Sequence, residues 1–161
     1  MSIWKELYDI FDKERARWHS KNASKQSLIY EIQSNLAFLA DAIQNELNPV
    51  AMTKGLERSI FDKSMENSFA LNSISKNKKV TTNTIGGFDE FKKYVGKDTE
   101  YLVKNAYLKI GVLVKLVNSS GDKDSDLKLK SLFRFLMLLV THIEGRHLTR
   151  RTSKGAASRA A

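Results

Sequence analysis

The stretch from Ser131 to Ile143 is the most apolar run in the sequence and constrains the fold more than any other segment. Together with Leu127 and Leu129, its apolar side chains cover most of a helical circumference. A helix that is apolar nearly all round belongs in the interior of a bundle. The run is interrupted by Arg134 and is shorter than the roughly 20 apolar residues that a bilayer requires. We therefore expect a central, buried helix.

A second helix is predicted from about residue 24 to residue 47. Its apolar residues recur every three or four positions: Leu28, Ile32, Leu36, Leu39, Ile43 and Leu47. This narrow stripe is typical of helices that pack on other helices. Asn48-Pro49 should end the helix, because a residue before proline is disfavoured in helical geometry. Pro49 suits the first turn of a third helix, which Gly55 would weaken.

Amphipathic patterns predict further helices over residues 2–21 and from about residue 98 to residue 117, with a short helix near residues 88–95. Short connections favour antiparallel neighbours. The predicted architecture is therefore all-α, an antiparallel bundle of four main helices plus one or two short ones. Its two hairpins are expected at residues 2–47 and 98–144, within a single domain of residues 1–145.

Two segments lack any such pattern. Residues 72–87 are rich in Ser, Thr, Asn and Lys and end in two glycines, so a loose basic linker is predicted. Residues 146–161 contain too few apolar side chains to fold alone, so a flexible basic tail is predicted, unless its extreme end derives from an expression vector.

The positive charge is concentrated in these same segments. Residues 72–87 carry +3 and residues 145–161 carry +5 of the formal net charge of +9, which leaves the helical body near neutral. Lysine and arginine can contact phosphates without reading bases, even from mobile segments. Simple solubility would account for the same charges. The residues predicted to bind nucleic acid are Lys76, Lys78, Lys79, Arg146, Arg150, Arg151 and Lys154.

Composition and spacing argue against several chemistries. The chain has no cysteine, which excludes disulfides, thiolate nucleophiles and cysteine-bound zinc. His142, Glu144 and His147 resemble a metal or acid–base cluster. Zinc-binding histidines on one helix are four residues apart, whereas these two are five apart with Gly145 between them. We expect a solvated helix end here, and no metal or cofactor.

Arg15 and His19 lie four residues apart and share a helical face. The pair resembles the arginine–histidine motif of the HEPN ribonucleases, although that motif has more than the three intervening residues found here. The resemblance therefore extends only to helical architecture, which is an analogy of fold. It leaves a HEPN-like ribonuclease with a degenerate motif as the enzymatic alternative, with Arg15 and His19 as its catalytic residues.

These patterns favour a non-enzymatic interaction or accessory subunit. Nucleic acid would be contacted through the basic segments, and a protein partner or a second copy through apolar helix faces, since aromatic residues such as those of the first helix are enriched at interfaces. Self-assembly alone is a third alternative. No apolar anchor for a membrane adjoins the tail. The N-terminus lacks the continuous apolar run of a signal peptide, so a cytoplasmic location is expected.

Overall fold

The computed structural model describes residues 3–15, 23–120 and 124–149, and over these ranges the chain is all-α, as predicted. Its α-helices are α1 (Ile3–Arg15), α2 (Ala23–Gln44), α3 (Pro49–Gly55), α4 (Ser59–Glu66), α5 (Thr82–Ile85), α6 (Thr99–Ser120) and α7 (Ser125–Ile143). Two short 3-10 helices cover Leu71–Ile74 and Asp89–Tyr94. Within the described ranges there is no strand, and an isolated antiparallel bridge joins Lys79 to Asp98.

Helix α7 lies at the centre of the bundle, which confirms the expectation from its sequence. Every residue from Phe135 to Ile143 is buried. The helix contacts α1, α2, α3, α5 and α6, and its pairing with α6 is the most extensive among the described helices. Burial on all sides from Phe135 onward explains why the apolar residues there are not confined to one face, whereas Leu127, near the start of the helix, is 66% exposed.

Helix α2 supplies a second wall of the core. The first five residues of its predicted stripe are buried, whereas Leu47 lies beyond the end of the helix and is exposed. Helix α1 was predicted to be the antiparallel neighbour of α2, but it packs chiefly against α7. The connection between α1 and α2, residues 16–22, lies outside the described residues.

The third helix begins at Pro49, as predicted. The Asn48 side chain caps it by accepting a hydrogen bond from the Ala51 amide at 2.8 Å. Gly55 ends this helix close to α2, where an added Cβ would overlap the ring of Phe38. The glycine therefore permits a close approach of α3 to α2, and the chain starts a separate helix, α4, at Ser59.

A buried carboxylate of α2 holds the start of α4. Glu31 is 2% exposed and accepts hydrogen bonds from the amides of Ile60 at 2.7 Å and Phe61 at 3.1 Å. It also accepts one from the Tyr107 hydroxyl at 2.8 Å. The amides of a first helical turn have no partner within their own helix. Glu31 therefore acts as the cap of α4 from another helix, and it links α2, α4 and α6.

The prediction of a loose linker over residues 72–87 is wrong, because this segment is packed. It contains the end of a 3-10 helix and all of α5. A reciprocal capping box starts α5: the Thr84 amide donates to Thr81 Oγ1, and the Thr81 amide donates to Thr84 Oγ1, each at 3.2 Å. The segment buries four side chains: Ile74, Val80, Thr84 and Ile85. Their spacing follows no single period because short turns, not one regular element, place each of them.

Candidate nucleic-acid interface

The first part of the linker crosses the carboxyl end of α7. The Lys76 amide donates to the Ile143 carbonyl at 3.3 Å, and Ser75 Oγ lies 3.2 Å from the His142 carbonyl oxygen. The last carbonyls of a helix lack partners within the helix, so the linker satisfies them. Lys76 Cβ lies 3.3 Å from the point that a Cβ on Gly145 would occupy. Lys76 is exposed, and its positive charge is favourable near the negative end of the helix dipole.

The next part of the linker pairs with the segment that leads into α6. The Val80 amide donates to the Lys97 carbonyl at 2.9 Å, and the Gly96 amide donates to the Val80 carbonyl at 2.8 Å. Val80 is 1% exposed and anchors this pairing in the core. The neighbouring Lys79 and Lys97 are both exposed, so the pairing adds a further cation beside the linker lysines.

The chain beyond α7 returns to the same place. The Arg146 amide donates to the Thr141 carbonyl at 3.0 Å, and the Leu148 amide donates to the Thr84 carbonyl at 2.9 Å. Leu148 is buried against α5. The prediction of a flexible tail is therefore wrong for residues 146–149, because two backbone hydrogen bonds and the burial of Leu148 hold them against the bundle. Residues 150–161 lie outside the described residues.

Packing thus brings the linker and residues 146–149 together at one end of the bundle. We call this surface the basic end, and it comprises Lys76, Lys78, Lys79, Lys97 and Arg146. All four lysines are exposed, while Arg146 is half-buried. Arg150, Arg151 and Lys154 follow in sequence directly from it.

The carboxylates of Asp98 and Glu144 adjoin the basic end, and both have local partners. Asp98 Oδ1 accepts a hydrogen bond from the Tyr101 amide at 2.8 Å and so caps α6. Glu144 lies 3.6 Å from Arg146, and it also accepts from the Gln33 side chain at 3.3 Å. The five side chains that define the basic end are all cationic. An ion pair between partly exposed groups is weak, so a phosphate can compete for Arg146.

Lys97 was missed by the sequence analysis. Its place in the basic end depends on the backbone pairing of Val80 with Lys97, which joins residues far apart in the chain. No local pattern of the sequence signals that pairing. Its ammonium lies 4.8 Å from the ring centroid of Tyr101, so the side chain leans along the start of α6.

His142 is buried in the core, and the prediction of a solvated helix end is wrong for this residue. It has no exposed surface, and its Nε2 lies 2.8 Å from Thr99 Oγ1. Burial lowers the pKa of His142 from its usual value, although the negative charge of Asp98 acts to raise it. His147 is exposed. Among the described residues, no group of three histidine, aspartate or glutamate side chains is placed to hold a metal ion.

The remaining predicted residues lie beyond what the structure describes. His19, Arg150, Arg151 and Lys154 are outside the described residues; Arg15 ends α1, but its side chain is not described. None of the described helices is both long enough and apolar enough to span a bilayer. The chain matches no protein-family model, no curated protein sequence and no solved structure.

Proposed function

We propose that this chain is a non-enzymatic helical accessory module that binds nucleic acid through the phosphates, independently of base sequence. The observation that supports this function is the convergence of the linker and residues 146–149 on one end of the bundle. Hydrogen bonds from Lys76 to the end of α7 and from Leu148 to α5 fix that convergence. An anionic backbone that crosses this end of the bundle could contact cations from both segments.

The chemistry of the basic end favours phosphate contacts over base recognition. Lysine presents a point charge and lacks the planar fork with which arginine reads guanine. Four of the five cations of the basic end are lysines. Tyr101 is 39% exposed, but Lys97 lies over one face of its ring. The surface therefore lacks the row of open aromatic faces that binds unstacked bases in single-strand binding proteins.

Salt dependence of binding tests this function. Fluorescence anisotropy with a labelled duplex DNA and a labelled duplex RNA of arbitrary sequence, each titrated at several salt concentrations, gives the slope of log K against log salt. If about five phosphates are engaged, the slope is about −4 to −5. Substituting Lys76, Lys78 and Lys79 with glutamine should make the slope less negative by about 2.7, because each lost phosphate contact removes about 0.9.

A matched variant removes the same charge elsewhere. Lys54, Lys63 and Lys115 are exposed and lie outside the basic end. Substituting these three with glutamine should leave the slope within about 0.5 of wild type, since non-contacting charges release few counterions. Equal losses in the two triple variants would show that net charge alone drives binding. Binding that is absent or insensitive to salt would overturn the proposed function.

The competing ribonuclease function rests on the spacing of Arg15 and His19 alone. Incubating RNA with wild-type protein and with a His19→Ala variant separates the two functions. An accessory module leaves the RNA intact in both samples. Cleavage by wild type that is lost in the variant would establish the enzyme instead.

A further inference from the structure

An apolar groove runs along the outer face of the α6–α7 pair. Its cavity measures about 330 Å³. Leu113 and Leu132 form a buried floor, while Leu108 and Val112 form an exposed wall. Leu108 is 64% exposed and Val112 is 47% exposed. Contiguous exposed apolar surface of this kind marks interaction sites more often than isolated exposed residues do.

The groove differs from the apolar faces that the sequence suggested as interfaces. The stripe of α2 is core in the structure, except for Leu47. On α6, by contrast, Tyr101, Leu108 and Val112 are exposed and follow each other at intervals of seven and four residues. Residues at these intervals share one helical face, so α6 presents an apolar stripe to solvent as well as one to the core.

The charged residues that line the groove are all of one sign. Lys109 and Lys128 line it, and its lining, made entirely of described residues, contains no carboxylate. The nearby carboxylates of the two helices already pair with other lysines: Glu100 with Lys104 at 3.2 Å and Asp126 with Lys130 at 3.1 Å. The occupant that complements this groove is therefore apolar in its centre and negative at its edges.

We propose that the groove binds an acidic amphipathic helix of a protein partner. The lining residues of α6 extend from Asn105 to Leu116, which corresponds to about 17 Å at 1.5 Å per residue. About three turns of a partner helix fit this length. Its apolar side chains at positions i, i+4 and i+7 would contact the wall and floor, while flanking aspartates or glutamates would face Lys109 and Lys128. The inference does not depend on nucleic-acid binding at the basic end.

Two other occupants fit the groove less well. In a symmetric dimer formed through this face, the same patch would lie on both sides of the interface. The lysines of one copy would then face those of the other, and like charges repel. A bilayer surface carries the right charge but is nearly flat on this scale. It cannot reach a floor formed by the buried Leu113 and Leu132 between two helices.

A pair of synthetic peptides tests the proposal. The acidic probe is a fluorescein-labelled 14-residue helix with leucines at i, i+4, i+7 and i+11 and glutamates beside them. The basic probe has the same leucines and lysines in place of the glutamates. Wild-type protein should bind the acidic probe at least about tenfold more tightly than the basic probe.

Two variants of the groove sharpen the test. Leu108→Glu should weaken binding of the acidic probe by about tenfold or more, because it places a negative charge in the apolar wall. Tyr30→Glu is the matched control, since Tyr30 is 63% exposed on α2 and should tolerate the change without effect on binding. Lys109→Glu with Lys128→Glu should reverse the preference, so that the basic probe binds more tightly.

A third variant distinguishes the groove from the basic end. Substitution of Lys76, Lys78 and Lys79 with glutamine should leave acidic-probe binding unchanged within about twofold, even if nucleic-acid binding is lost. Binding lost in that variant but kept in Leu108→Glu would place the probe at the basic end and overturn the proposal. Equal binding of the two probes, or no binding up to millimolar concentration, would also overturn the proposal. The same holds if light scattering shows that wild-type protein is a dimer and that Leu108→Glu dissociates it. Binding to vesicles of phosphatidylserine and phosphatidylcholine without peptide binding would instead assign the face to a membrane.

Discussion

Replacing Glu31 with glutamine removes a carboxylate on which three hydrogen-bond donors converge. Ile60 and Phe61 donate their amides to it at 2.7 and 3.1 Å, and Tyr107 donates its hydroxyl at 2.8 Å. Glutamine offers a single acceptor oxygen. Its side-chain NH2 group would face at least one of these donors, and two donors cannot form a hydrogen bond. Glu31→Gln therefore leaves at least one buried donor without an acceptor and weakens the remaining hydrogen bonds from charge-assisted to neutral ones.

The expected cost can be estimated from these contacts. An unsatisfied buried donor costs about 1–3 kcal/mol, and a hydrogen bond to a charged group contributes about 1 kcal/mol more than a neutral one. The total for Glu31→Gln is about 3 kcal/mol of unfolding free energy. For a domain of this size that lowers the melting temperature by about 6–12 °C. Urea unfolding followed by circular dichroism at 222 nm measures the change, with an unaltered m-value as the sign of an intact two-state transition.

A control and a companion variant isolate the role of the cap. Glu66 is exposed near the end of α4, so Glu66→Gln should change stability by less than about 0.5 kcal/mol. Tyr107→Phe removes one donor and should cost about 1 kcal/mol. Because Tyr107 contacts Glu31, the double variant should lose less unfolding free energy than the two single variants lose in sum. If Glu31→Gln costs no more than Glu66→Gln, Glu31 does not cap α4 and the reasoning is refuted.

Three further predictions concern ionisation and backbone conformation. Burial and the Glu31 carboxylate raise the pKa of Tyr107 from its usual 10.0, so the unfolded state loses this proton at a lower pH than the folded state does. The free energy of unfolding should therefore fall as pH rises above about 10, and Tyr107→Phe should reduce that fall in a series of denaturation curves. Burial lowers the pKa of His142 from its usual 6.5. Its contribution to the free energy of unfolding is therefore complete above about pH 6.5 and is lost at lower pH, where the unfolded state takes up a proton. His142→Gln should flatten the dependence of stability on pH between about pH 5 and 6.5, and an unchanged slope would contradict the burial. Gly86 has φ +57°, and a Cβ added there would overlap the Leu148 carbonyl, whereas Gly87 has φ +86° and open space around it. Gly86→Ala should therefore lower the free energy of unfolding in urea by about 1–2 kcal/mol more than Gly87→Ala does.

The sequence predicted the parts of the fold that depend on local periodicity. The stripe of α2 and the apolar circumference of α7 determine burial by their spacing alone, and the structure confirms both. Pro49 and Gly145 mark a helix start and a helix end through backbone preferences that hold in any context. The neutral body and the basic segments also follow directly from residue order.

The rest depends on contacts between distant parts of the chain. The buried residues of segment 72–87 gain their positions from hydrogen bonds to α7 and to Lys97, which no local pattern reveals. Glu31 resembles a solvated residue in the sequence, and its burial is explained only by the start of α4. His142 had a signal that was overlooked, because Val140 and Ile143 on either side place it within the most apolar helix. Exposure of the α6 stripe depends on which helices pack beside it.

The prediction that the tail cations act on the same surface as the linker lysines is tested most directly with a short ligand. A labelled duplex of eight base pairs is about 27 Å long and fits a single binding surface. The salt dependence of its binding is compared among wild type, the Lys76/Lys78/Lys79 glutamine variant and an Arg150/Arg151/Lys154 glutamine variant. If the segments share one surface, both variants should make the log–log slope less negative: the lysine variant by about 2.7, and the tail variant by up to about 1.8, which is the share of the two contacts that remain of about five. A slope that changes in only one variant, or that is near zero in wild type, would contradict the shared basic end.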